Sequence, residues 1–101
     1  MRPLVCCLVL GALSYTSSAL AGDAVRGRVL AENHCGVCHI VVPNQRNEVA
    51  DAPPFETIGR KHGFDAILVA QAILSPHPKM NFSPAQADAD DIAAYIGTLP
   101  H

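Results

Sequence analysis

Between Asn33 and Val41 the chain reads NHCGVCHIV, which places two thiols and an imidazole, Cys35, Cys38 and His39, within five residues. Three chemistries use such a cluster: disulfide exchange, half of a zinc site, and covalent anchoring of a haem. On a helical turn the three positions are i, i+3 and i+4, so all three project from one face. A thioredoxin-type Cys-x-x-Cys needs a strand before it and a βαβ setting, and the sequence shows neither. A structural zinc site needs four ligands, usually as two spaced pairs. The remaining histidines, His34, His62, His77 and His101, supply no second pair. Haem attachment uses every member of the cluster. Each thiol adds its S–H across one vinyl group to give a thioether, and the adjoining imidazole is directed at the iron, which is the general reading of Cys-x-x-Cys-His.

A haem iron held by one histidine either takes a second protein ligand or keeps a reactive open position. The chain has two methionines, Met1 and Met80. Met80 lies in SPHPKMNF, a polar stretch in which Pro76, Pro78 and Pro84 exclude regular structure. A methionine that merely fills a core gap is out of place there, so Met80 is the candidate sixth ligand. His77, three residues upstream, is its rival and would give a bis-histidine iron of lower potential. Leu68, Phe55 and Phe82 are candidates for an apolar pocket wall, and equally for ordinary core.

The elements that must position these residues read as helical, and no alternating strand pattern stands out. Asp23 is an N-cap for a helix over 24–34. On it Val25 and Val29 fall four apart, while Gly27 and Ala31 form a small-residue track on another face. Glycine inside a helix costs about 1 kcal/mol against alanine, so another backbone or a large ring is expected close to Gly27. PNQRNEVADAPP, residues 43–54, reads as a loop. A short helix over 55–61 ends near Gly63, and a third runs over 65–74 with Phe64, Ile67, Leu68 and Gln71 on one side. In the last helix Ser83 is an N-cap, Pro84 the first helical residue and Gln86 the partner in a capping box. Ile92, Tyr95, Ile96 and Leu99 form its core stripe, while Asp88, Asp90 and Asp91 face water at its N-terminal end.

The chain has 101 residues, enough for one domain. Arg2, the apolar run Leu4 to Leu13 and Ala19-Leu20-Ala21 have the order of a secretory signal peptide cleaved after Ala21. Residues 14–18 interrupt the run with Ser14, Thr16, Ser17 and Ser18, short of the ~20 apolar residues a span needs. Residues 22–101 would then form the mature domain and keep Cys35 and Cys38 as their cysteines. With Arg2 gone, six basic residues face nine acidic ones, a formal charge of −3 without a basic stripe for nucleic acid. A domain this small often recruits a cofactor or staple to complete its core. A Cys35–Cys38 disulfide closes too short a loop to serve as one.

With GRVLAENHCGVCH, APPFETIGR, HPKM and DDIAAYIGTL in this order, the chain resembles a class I c-type cytochrome, a small monohaem bacterial electron carrier. The resemblance spans 23–99. It implies an all-α cytochrome c fold of about four short helices, with crossed N- and C-terminal helices around one covalently bound haem c. It also implies thioethers at Cys35 and Cys38 and axial iron ligands at His39 and Met80. A proline carbonyl accepts a hydrogen bond from the proximal histidine; Pro53 matches that position best, with Pro54 the alternative. Gly27 and Tyr95 match the glycine and aromatic at which the terminal helices cross. Two departures stand out: Ala52 where the family usually has glycine, and only Lys61 and Lys79 where mitochondrial relatives carry a ring of lysines. The function implied is one-electron transfer, not enzymatic catalysis, by a periplasmic monomer that meets redox partner proteins and no membrane after signal cleavage. A haem enzyme or gas binder with an open distal site, and an electron-transfer subunit of a larger dehydrogenase, are the alternatives.

Overall fold

A computed structural model of the chain describes residues 11–12, 22–45, 52–77 and 80–101. Apart from Gly11 and Ala12, the segment 1–21 of the signal-peptide expectation lies outside these residues, as does the position of Lys79. Four helices follow one another: α1 (Ala24–His34), α2 (Phe55–Lys61), α3 (Ala66–Leu74) and α4 (Gln86–Ile96). The described residues contain no strand, and none of their helices is long and apolar enough to cross a membrane.

Two of the helices start where an aspartate can take up free N–H groups. The Asp23 carboxylate accepts from Val25 N (3.0 Å) and Arg26 N (3.1 Å), and that of Asp65 from Ile67 N (2.9 Å) and Leu68 N (3.1 Å). The start of α4 differs from the Ser83–Pro84 expectation. Ala85 is the last extended residue, and its N–H donates to the Asp88 carboxylate at 3.0 Å. Asp88 is held from its other side by Arg26 of α1, so a tertiary contact determines where this helix begins.

The core is built on α4. Ala89, Ile92, Ala93, Tyr95 and Ile96 are buried, with Leu99 just beyond, and α1, α2 and α3 all pack on this helix. α1 meets it through Gly27 and Ala31, both buried, whereas Val25 and Val29 are exposed. A Cβ at Gly27 would overlap the Asp91 carbonyl, with the Ile92 amide next nearest. The atoms such a methyl would meet first are thus α4 backbone. Tyr95, about one turn further along α4, donates its hydroxyl to the Val41 carbonyl. Asp88 and Asp91 do not simply face water: Arg26 bridges them at 2.7 and 2.5 Å, and Asp91 also accepts from Asp23 N at 2.8 Å. On α3 the buried residues are Val69 and Ala70, while Ile67 and Leu68 are exposed. In AILVAQAIL almost every position is apolar, so periodicity cannot set which face turns inward.

Candidate functional site

The Cys-x-x-Cys-His segment continues from the end of α1 as a hydrogen-bonded turn. Cys35 N donates to Ala31 O (2.8 Å), Cys38 N to Cys35 O (3.1 Å) and His39 N to Cys35 O (2.8 Å). The last of these is an i to i+4 bond, which gives the turn the helical pitch that brings the three side chains to one side. The thiols of Cys35 and Cys38 are free, the first half-buried and the second exposed. Burial pushes the Cys35 thiol up to about 11. At neutral pH it therefore holds little thiolate, the form that disulfide exchange requires.

His39 is oriented from the far side of the 43–54 loop. Its Nδ1 lies 2.6 Å from the Pro53 carbonyl oxygen. A carbonyl can only accept, so Nδ1 carries the proton and, in the neutral ring, Nε2 carries the lone pair. This is the arrangement in which a histidine is presented to a metal, with its tautomer fixed by the partner of the other nitrogen. The bond goes to Pro53 and not to Pro54, which serves as the N-cap of α2. Phe55, 4% exposed, sets its ring 5.4 Å from that of His39 at 53°.

Gln45 was legible only as one polar residue in a loop, yet it ties the segment together. Its Oε1 accepts from Val41 N (3.0 Å), while its Nε2 donates to Gly36 O (3.2 Å) and His39 O (3.0 Å). Phe55 N adds a bond to Ile40 O at 2.9 Å. Together these fix the chain on both sides of His39, and no sequence signal marks a side chain for such a role.

Met80, half-buried, lines a hollow with Ile73, Leu74, His77 and Phe82. His77 is exposed, and its Nδ1 lies 2.9 Å from Ser75 O. Phe82 packs against the core and stacks on His34. Of the three candidate wall residues, Phe55 is buried, Phe82 half-buried and Leu68 46% exposed. No group of three or more His, Cys, Asp or Glu able to hold a metal ion occurs among the described residues.

Comparison with known proteins gives the family. The chain is 46% identical over 94 residues to cytochrome c-552 of Bradyrhizobium diazoefficiens, covering 92% of this chain and 90% of that protein. This chain belongs to the class I c-type cytochromes. No family model matches it and no solved structure matches it. Membership makes it a haem electron carrier, an electron-transfer protein rather than an enzyme, with a covalently bound haem c and with redox proteins as partners. The residues fit that cofactor. Two free thiols and an imidazole follow one helix end, and the imidazole has its Nδ1–H committed elsewhere. The described residues, all-helical with four helices and no strand, are consistent with the cytochrome c fold of this family.

Proposed function

We propose that this cytochrome is an exported, periplasmic carrier whose iron is held by His39 and Met80 and whose haem is joined to Cys35 and Cys38. The observation that carries the ligand assignment is the His39 Nδ1–H to Pro53 O bond at 2.6 Å. It orients the ring and leaves Nε2 as the donor. The haem, when bound, supplies the one-electron couple of its iron. Met80 would be the second residue to hold the iron, and a thioether there would favour the ferrous state and raise the potential. Two protein ligands kept in both oxidation states would keep reorganisation small. Phe55 keeps water from one side of the His39 ring, and the Gln45 bonds keep the Cys35–Val41 turn from shifting as the charge changes.

Residues 1–21 are read as a signal peptide removed on export, with 22–101 as the working domain. A monomer that meets donor and acceptor through small, short-lived interfaces suits this role. A second reading has one observation behind it: His77 lines the same hollow as Met80, and its bond to Ser75 O leaves Nε2 available. Carbon monoxide binding to the reduced protein separates the two. Wild type and His77→Ala should not bind it, whereas Met80→Ala should. Opening of the iron by His77→Ala, with Met80→Ala inert, would assign the sixth position to His77.

A further inference from the structure

We infer that His34 is a positioning residue for Met80, acting through the ring of Phe82; this rests on the reading of Met80 as the sixth ligand. The His34 and Phe82 rings stack with centroids 4.0 Å apart and planes within 7°. His34 is the last residue of α1. That helix is seated on α4 by the close approach at Gly27 and by the Arg26 bridges to Asp88 and Asp91. It forms a rigid post, and its final side chain stands against the methionine-bearing segment. His34 is also bonded directly to Cys35, so one helix end carries both a haem-anchoring thiol and the prop for the opposite ligand.

The segment needs such a prop. Among the described residues, 80–84 make no backbone–backbone hydrogen bond. Their placement rests on side chains, chiefly Phe82 against the core and against His34. Phe82 follows Met80 by two residues, a reach of at most about 7 Å, so freedom of the Phe82 backbone passes to the methionine. A stacked aromatic pair shifts an equilibrium by a factor of about 2 to 10 beyond its buried area. His34 should favour the ligated over the released methionine by that factor.

Imidazole competes with Met80 for ferric iron, and its apparent affinity follows the fraction of protein in which the methionine has been released. The test is an imidazole titration of the ferric holoprotein, read by the shift of the main haem absorption band on imidazole binding, with loss of the weak far-red methionine–iron band alongside it where that band is present. His34→Ala should lower the imidazole Kd by about 2- to 10-fold, Phe82→Leu should do the same, and His34→Phe should restore the wild-type value by keeping a stacked ring. Arg28→Gln breaks the exposed pair with Glu32 on α1 without touching the stack or the seat on α4; it should leave the Kd unchanged. An unchanged Kd in His34→Ala, no rescue by His34→Phe, or an equal fall in Arg28→Gln would overturn the inference. Failure of the ligand reading itself has a different signature, an imidazole affinity that Met80→Ala leaves unaltered, and it would overturn both.

Discussion

Gly27→Ala tests the contact on which the fold turns. Alanine is the better helix former by about 1 kcal/mol, so on an exposed face this change would stabilise α1. At this position the added methyl would overlap the Asp91 carbonyl, with its carbon and the Ile92 amide next nearest. All three are backbone atoms of α4, so no rotamer change relieves the overlap and the helices must move apart. Overpacking of a close-packed interior costs about 1–3 kcal/mol, occasionally more, and a backbone obstacle belongs at the upper end. After subtracting the propensity gain, a net loss of about 2 kcal/mol is expected. For a domain of this size that is a fall of about 8–16 °C in melting temperature. The assay is thermal unfolding of the holoprotein by circular dichroism, with Val29→Ala on the exposed side of the same helix as the control. That control should move stability by no more than about 0.5 kcal/mol. A Gly27→Ala protein as stable as wild type, or more so, would refute the account of how α1 and α4 meet.

Three further outcomes follow from the same geometry. The Arg26 guanidinium, with help from the Ala85 and Asp23 amides, holds the Asp88 and Asp91 carboxyls below the usual carboxylate range. Stability from these depressed values is fully present above the unfolded carboxylate value of about 4 and is lost as pH falls through the folded ones. In a melting-temperature profile against pH, Arg26→Gln should therefore flatten the acid limb and lower the neutral plateau. Tyr95→Phe removes the donor to the buried Val41 carbonyl; leaving that acceptor unpaired should cost about 1–3 kcal/mol in denaturant unfolding. Gln45→Ala frees the Val41 amide, and hydrogen exchange at that amide should accelerate by at least tenfold, equivalent to about 1.4 kcal/mol of lost protection.

The helices were legible where local chemistry determines them. Asp23 announces the start of α1, and the stripe Ile92, Tyr95, Ile96 and Leu99 is buried as its spacing requires. Where tertiary contacts decide, the sequence misled or was silent. The α4 start follows from an arginine 62 residues away that holds Asp88, while Ser83 and Pro84 offered a locally plausible cap. Val25 and Val29 fall four apart on α1 and are exposed, while the small residues Gly27 and Ala31 face α4 because they allow the backbones to approach. Candidate site residues stood out because cysteine, histidine and methionine are rare and their spacing is chemically constrained. Gln45 and His34 did not, since a glutamine in a polar loop and a histidine at a helix end carry no spacing rule.

The central claim, a carrier closed by His39 and Met80, is most directly tested by absorption spectra of the purified protein, oxidised, then reduced, then reduced under carbon monoxide. The account predicts a c-type spectrum with the far-red methionine–iron band when oxidised, and no change on adding carbon monoxide to the reduced form. A c-type spectrum that lacks the far-red band and shifts with carbon monoxide would contradict it and point to an open iron.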